Sequence, residues 1–235
     1  MRNMSNMNRP SQDTLGNQFL TRVYMWMFVG MSITAVVSYT IYMSPSLQEI
    51  FLPLYFPLLI LALGIVILLS WKIKSLSPAM ATGAFIFYAA LNGTWITIII
   101  LGYTASSVFI AFVTAAGMFI CMSLFGYYTK RDLSMIGKFA LMALIGLIIA
   151  FVLNIGLFLI GSDAASPISF VLSAAAVLIF AALTAYDTQR IKEMGRNIKT
   201  GDPFAQNLAI IGALRLYLDF INLFIHLLRI LGTRR

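Results

Sequence analysis

Residues 208–231 read LAIIGALRLYLDFINLFIHLLRIL, and this stretch decides the fold because it is apolar along its whole length yet carries polar side chains. It is long enough to cross the hydrocarbon core of a bilayer, about 30 Å thick, as one helix. The polar side chains recur at steps of three and four and therefore share one helical face: Arg215, Asp219, Asn222, His226 and Arg229. An acid at membrane depth is costly, which favours a functional role for Asp219.

The other residues of this face have structural explanations. Asn222 and the single histidine, His226, are equally well explained as groups that form hydrogen bonds between helices. Arg215 lies one turn before Asp219, where it either neutralises that acid or extends towards the near interface. We therefore interpret Arg215, Asn222 and His226 as a supporting polar stripe.

The whole chain has the composition of a membrane protein. Of its 235 residues, 60% are hydrophobic and 10% are charged, whereas soluble domains have about 25% charged residues. Lipid-exposed backbone must form its hydrogen bonds within a helix, and the alternation of a membrane barrel is absent from the sequence. The pattern predicts an all-α integral membrane protein, one bundle of seven transmembrane helices at residues 23–43, 51–71, 79–101, 106–128, 135–160, 168–188 and 208–231.

Basic residues alternate between the links that join these segments. The N-terminal region and the links after the second, fourth and sixth segments contain Lys or Arg, whereas residues 44–50, 102–105 and 161–167 contain neither. This asymmetry predicts a cytoplasmic N-terminus and explains the net charge of +8 without nucleic-acid binding. Residues 1–18 are predicted to be a mobile cytoplasmic segment, and residues 19–235 the transmembrane domain. Seven spans place the C-terminus outside; the terminal arginines leave a re-entrant last segment as the alternative.

Asp187 is the second acid in an apolar stretch, near the cytoplasmic end of the sixth predicted span. By itself it is explained by solvation at the interface or by pairing with a basic residue of the following turn. The link to the next span, however, brings it to a depth similar to that of Asp219. Two carboxyls that meet cannot both ionise cheaply, so we expect a shared proton and a response to pH. Lys72 and Lys74, at the cytoplasmic end of the second span, are candidates to bridge to Asp187 when it is charged.

Two motifs contain these acids. Residues 185–192 (AYDTQRIK) and 216–224 (LYLDFINLF) resemble the two signatures of the Bax inhibitor-1 family, whose bacterial members are seven-span inner-membrane proteins. The resemblance covers essentially all seven predicted spans. It implies a bacterial inner-membrane location and a central seventh helix wrapped by the other six. The sequence has no GxGxxG, HExxH, CxxC or Walker motif, so we expect neither enzymatic activity nor a cofactor.

The same resemblance implies a calcium leak across the membrane that pH modulates through Asp187 and Asp219. A cation at the end of the second helix latches to the first aspartate in the closed form, and proton sharing between the aspartates releases it. Here the latch maps to Lys72 or Lys74, where the family often has arginine, and lysine binds a carboxylate less specifically. We expect no tight metal site, because Ca²⁺ prefers six to eight oxygen ligands and two carboxyls attract it only weakly.

Two other functions remain open at this point. Some bacterial relatives are similar to modulators of a membrane-bound ATP-dependent protease that act through a flexible cytoplasmic N-terminus, and the polar residues 1–16 fit such a partner. Paired aspartates are also the chemistry of intramembrane aspartyl proteases, whose first motif Tyr186 and Asp187 resemble. Asp219 follows Leu-Tyr-Leu rather than the Gly-x-Gly of that class. A leak channel is therefore the first hypothesis.

Overall fold

A computed structural model of the chain describes residues 11–72, 75–161, 165–198 and 204–235. These residues form α1 (Gln12–Met43), α2 (Pro45–Phe51), α3 (Tyr55–Lys72), α4 (Pro78–Leu101), α5 (Ala105–Tyr128), α6 (Ser134–Leu159), α7 (Ala165–Asn197) and α8 (Ala205–Leu231). Within these ranges the only strand-like pairing is an isolated bridge between Tyr103 and Arg234. Six of the helices are long and apolar enough to cross a membrane, and α2 and α3 together make a seventh candidate. The predicted all-α membrane class is confirmed, with six to seven candidate spans.

The second predicted span, residues 51–71, is not one straight helix. α2 ends at Phe51 and α3 starts at Tyr55, with a bend of 71° between them. Pro53 lies in the break, where it has no N–H to donate and so cannot continue the hydrogen bonds of α2. The apolar composition therefore locates the segment correctly but misplaces the start of its helix.

α1 and α7 are longer than the apolar runs that predict them. α1 starts at Gln12 rather than at residue 23, and α7 continues to Asn197 rather than ending at residue 188. Ser11 caps the start of α1, because its Oγ accepts a hydrogen bond from the Thr14 N–H at 3.2 Å. The boundary predicted between residues 18 and 19 therefore falls inside α1. Residues 1–10, which carry most of the predicted mobile segment and of the protease-modulator alternative, lie outside the described residues.

The added turns of α1 and α7 pack against each other. Asp13 forms an ion pair with Arg196. Gly16 and Gly195 lie at the crossing, where a Cβ on Gly195 would come within 2.6 Å of the Phe19 Cβ. Small residues allow this close approach of two helices. The helix pair thus extends beyond the apolar segments as a packed unit.

α8 is the most buried of the six candidate spans: 72% of its apolar window is buried, against 11% for α6. It packs against α1, α4, α5 and α7. Tyr217, Leu214, Leu216 and Leu223 are almost completely inaccessible. α6, in contrast, packs mainly on α7 and presents most of its large apolar side chains outwards, where lipid replaces water as the solvent.

α8 (Ala205–Leu231) runs without a break from one face of the bundle to the other. At its start, the Asn207 Nδ2 donates to the Leu76 carbonyl, just before α4, at 2.8 Å. Beyond its end, the Arg235 N–H donates to the Gly102 carbonyl, just after α4, at 3.0 Å. α8 and α4 therefore run parallel, and this geometry argues against a re-entrant last segment. We call the end of the bundle that holds Gly102 and Arg235 the C-terminal face.

Candidate functional site

Asp187 and Asp219 both lie inside the bundle. Asp187, on α7, is 8% exposed, and Asp219, on α8, is 4% exposed. α7 and α8 pack along each other, and the Asp187 carboxyl acts electrostatically on Asp219. The sequence singles out these two acids because a carboxyl is costly in an apolar segment. In the fold they are neighbours.

Arg215 contributes the nearest positive charge to this pair of acids. Its Nη1 lies 3.5 Å from Oδ1 of Asp187, on the neighbouring helix. The Arg215 side chain is 39% exposed and that of Asp187 is 11% exposed, so the ion pair lies at the edge of the buried region. Arg190 also acts on Asp187 electrostatically, but its Nη1 donates to the Tyr186 hydroxyl at 2.9 Å. Arg215, for which the sequence leaves open neutralisation of Asp219 or extension towards the interface, thus forms an ion pair with Asp187 on the neighbouring helix.

Asp219 is less well satisfied than Asp187. Its Oδ2 is buried and makes no hydrogen bond within the described part of the chain. The charged groups that act on it are Asp187 and Arg215. Buried carboxyl oxygens normally accept hydrogen bonds, because an unpaired one is costly. Two acids, one nearby guanidinium and one open carboxyl oxygen form an arrangement that can take up a proton or attract a cation.

The remaining stripe residues make contacts that fit a structural role. The Asn222 Nδ2 donates to a carbonyl of its own helix at 2.8 Å. His226 is 7% exposed and stacks with Phe151 and Phe180, at centroid distances of 5.4 and 6.3 Å. Its Nδ1 lies 3.4 Å from the Ser173 Oγ. These contacts join α8 to α6 and α7 on the C-terminal side of the acids.

Of the two lysines proposed as a latch, only Lys72 belongs to the described residues, and it forms no ion pair with Asp187 there. Lys72 is the exposed last residue of α3, and Lys74 lies outside the described residues. α3 packs mainly on α4 rather than on α7. A latch between Lys72 and Asp187 would therefore require α3 to move, and the latch stays a prediction.

Two hydroxyl networks beside the acids were not predicted. On α7, the Thr188 Oγ1 lies 3.3 Å from the Tyr24 hydroxyl of α1 and 3.5 Å from the Ser123 Oγ of α5. On α8, the Tyr217 hydroxyl lies 2.7 Å from the Thr34 Oγ1 of α1. Each acid-bearing helix is therefore tied to α1 by a residue close to its acid: Thr188 directly follows Asp187, and Tyr217 lies two residues before Asp219. Uncharged hydroxyls are common in apolar helices, so no sequence signal distinguishes these residues.

The described residues contain no group of three or more His, Cys, Asp or Glu side chains that could hold a metal ion. The carboxyls of Asp187 and Asp219 together provide at most four oxygen ligands, fewer than the six to eight that Ca²⁺ prefers.

The fold and the acid pair define a class of protein: a helical membrane protein that crosses the bilayer many times and buries ionisable groups between its last two helices. Residues 16–235 match the family model described as inhibitor of apoptosis-promoting Bax1. The chain therefore belongs to the Bax inhibitor-1 family, as the two motifs predict.

Its relatives are similar over nearly their whole length. The chain is 43% identical over 221 residues to the inner membrane protein YbhL of Escherichia coli K12, which covers 92% of each chain. It is 38% identical over 216 residues to an uncharacterised protein of Deinococcus radiodurans, covering 92% of this chain and 90% of that one. An uncharacterised protein of Borreliella burgdorferi is 35% identical over 222 residues, or 93% of each chain. A relative named an inner membrane protein agrees with the predicted membrane class.

Proposed function

We propose that the protein is a pH-sensitive leak channel for calcium or a similar cation in a bacterial inner membrane. The observation that carries this proposal is the burial of Asp187 and Asp219 on two packed helices, with Oδ2 of Asp219 unpaired in the described structure. Ionisable residues at membrane depth usually mark an ion or proton pathway. Weak attraction also suits conduction, because an ion that enters a site must be able to leave it.

The carboxyl pair is the pH sensor in this proposal. At acidic pH the two acids share a proton, and the pair then carries less negative charge. At higher pH both acids are charged, and Asp187 attracts its cationic partner more strongly. Acid therefore favours the open state, and base favours the latched, closed state.

The latch has three candidates. Arg215 contacts Asp187 in the described arrangement, and the family resemblance implies Lys72 or Lys74. A guanidinium offers a planar pair of donors to a carboxylate, whereas an ammonium acts as a point charge. Neutralising the true latch should raise the leak at the basic pH where the channel is otherwise closed. Lys130→Ala, which removes an exposed charge from the α5–α6 link, is the matched control.

We also propose a topology for the channel. α2 and α3 together form one span, which makes seven, and α8 is the seventh and central one. The burial of 72% of the apolar window of α8 supports this arrangement. The distribution of basic residues supports a cytoplasmic N-terminus.

The proposal is tested by calcium flux into vesicles that contain the purified protein and an internal calcium indicator. We expect faster flux at mildly acidic than at mildly basic pH, and Asp187→Asn or Asp219→Asn should each remove this difference. Asp132→Asn is the matched control, since Asp132 is an exposed acid between α5 and α6 and should leave the pH response intact. A pH response that persists in both α7 and α8 variants would contradict the proposed mechanism.

A further inference from the structure

A cavity of about 420 Å³ opens at the C-terminal face, and neither of the two acids lines it. α1 and α5 form its sides, and α4 and α8 form its back. Its volume lies within the range of about 300–1,000 Å³ that is usual for small-molecule sites. Tyr42 and Tyr103 line its end at the C-terminal face, and Thr34 and Phe220 line its deep end.

The cavity is lined almost entirely by apolar surface, and the hydroxyls of Thr34 and Ser38 are engaged within the protein. The Thr34 hydroxyl lies 2.8 Å from the Ala89 carbonyl, and the Ser38 Oγ accepts a hydrogen bond from Thr97 at 3.1 Å. One wall is aromatic: the Phe112 ring of α5 contacts two phenylalanine rings of α8, with centroids 5.7 and 6.2 Å away. Water therefore finds few hydrogen-bond partners inside, and apolar cavities of this kind stay dry.

The cavity is open to the side of the bundle. Among its lining residues, Tyr39 is 63% exposed, Met43 is 58% exposed and Phe112 is 44% exposed. All three lie on helices that are candidate membrane spans, so the opening faces hydrocarbon. If the cavity were empty, the side chains that line it would lack the dispersion contacts that a neighbouring group provides. A lipid acyl chain is the one apolar group that a bilayer always supplies at this position.

A fixed arginine lies at the mouth of the cavity. The Arg235 Nη2 donates to the Tyr42 hydroxyl at 3.0 Å, and Tyr42 itself lines the cavity. The backbone before Arg235 is held against the α4–α5 link: the Thr104 N–H donates to the Thr233 carbonyl, and the Thr233 N–H donates to the Ser107 Oγ. The other N–H groups of the Arg235 guanidinium do not bind Tyr42, and they are suited to phosphate oxygens.

From the apolar cavity, its lateral opening and the arginine at its mouth, we propose a phospholipid site between α1 and α5. One acyl chain fills the cavity, and the lipid phosphate contacts Arg235 and the Tyr42 hydroxyl. The bilayer and the cavity are both apolar, so an acyl chain gains little from leaving one for the other beyond its fit to the shape of the cavity. The preference for an anionic headgroup comes from the arginine. Neither acid lines this site, and the proposal does not rest on the proposed leak.

The test uses phosphatidylglycerol with a photoreactive diazirine on its acyl chain, as a trace component of phosphatidylethanolamine vesicles that contain the full-length protein. After illumination, peptide mapping should find the label concentrated on cavity residues such as Ala35, Phe112 and Phe224. Excess unlabelled phosphatidylglycerol should suppress this label. Arg235→Gln should weaken the competition by phosphatidylglycerol by about tenfold, as the loss of one charge-assisted contact predicts.

Two neighbouring residues of α1 provide matched variants. Ala35 lines the cavity, and Ala35→Trp should fill it and abolish the concentrated label; Val36, 64% exposed and outside the lining, should tolerate Trp with the label unchanged. Phe112→Ala widens the cavity and should increase the label, so the proposal stays testable if Ala35→Trp does not fold. Label spread evenly over exposed residues such as Phe139, and unchanged in Ala35→Trp or Phe112→Ala, would mean annular lipid only and would overturn the site.

Discussion

Thr34 is the residue at which three helices exchange hydrogen bonds. Its Oγ1, on α1, lies 2.8 Å from the Ala89 carbonyl of α4 and 2.7 Å from the Tyr217 hydroxyl of α8. A carbonyl can only accept, so the single Thr34 proton goes to a backbone carbonyl and the Tyr217 hydroxyl must donate to Thr34. Tyr217 is fully buried. Thr34 therefore provides the only hydrogen-bond acceptor that the described structure offers to this hydroxyl.

Because Tyr217 donates and Thr34 accepts, removing one hydroxyl should not cost the same stability as removing the other. Thr34→Val leaves the buried Tyr217 hydroxyl without an acceptor, and we expect it to cost about 1–3 kcal/mol of stability. Tyr217→Phe removes the donor itself and leaves Thr34 bonded to a carbonyl, so it should cost less, about 1 kcal/mol. The double variant should be more stable than Thr34→Val alone. The measurement is reversible unfolding of the protein in mixed detergent micelles; equal effects of the two single variants would contradict the assigned direction.

Residue chemistry in the sequence predicts the acids of the site but not their surroundings. Asp187 and Asp219 stand out because a carboxyl is costly in an apolar run, whatever packs around it. The partner of Asp187 does not stand out, since Arg215 is nearer in sequence to Asp219 and reaches Asp187 only through the packing of α7 on α8. Thr34 and Tyr217 carry no charge, and their contact joins distant parts of the chain. Such pairs are fixed by tertiary geometry alone.

At the scale of elements, hydropathy locates the helices but not their lengths. Residues 189–197 are too polar for an apolar run, yet α7 continues through them. Lys192 shows how: its Nζ donates to the Tyr127 carbonyl at 3.1 Å and lies 3.9 Å from the centroid of the Tyr127 ring. The long lysine thus packs its stem on α5 and keeps its charge at a polar partner. A hydropathy window scores the charge of Lys192 but contains no information about its partner, Tyr127.

α5 comes close to α7, the helix that carries Asp187, at Gly126. This contact helps to position α7. A Cβ at Gly126 would overlap the carbonyl oxygen of Ala185, two residues before Asp187. Backbone cannot move aside as a flexible side chain can, so Gly126→Ala should push the helices apart and cost about 1–3 kcal/mol. Thermal unfolding in detergent measures the loss.

The same helix provides the control for this prediction. Gly117 has no heavy atom within 4 Å of the position that a Cβ would take. Gly117→Ala should therefore be neutral or stabilise the protein by up to about 1 kcal/mol, because Ala favours helix more than Gly does. Equal losses in the two variants would show that helix contact at Gly126 does not control stability.

At the scale of the whole molecule, the parallel course of α4 and α8 fixes which ends of the helices lie together. The described C-terminal residues are bonded to the α4–α5 link, whereas the start of α8 is bonded to the residues before α4. Ser46, on α2, follows the end of α1, whose Tyr42 contacts Arg235. The alternation of basic residues adds the direction, since links rich in Lys and Arg stay in the cytoplasm. Packing and charge together predict that Ser46 and Arg235 are outside and that Lys130 is inside.

Cysteine labelling tests this topology in cells whose outer envelope has been removed and whose inner membrane is intact. In a Cys121→Ser background, which removes the single native thiol, a membrane-impermeant maleimide should label Ser46→Cys and Arg235→Cys directly. Lys130→Cys should react only after the membrane is permeabilised, because the positively charged α5–α6 link is retained on the cytoplasmic side. All three positions are exposed in the described structure, so lack of reaction reports the membrane and not burial. Reaction of Arg235→Cys and Lys130→Cys from the same side would mean that α8 does not cross. Reversal of all three would leave the crossing of α8 intact and would instead overturn the orientation inferred from charge.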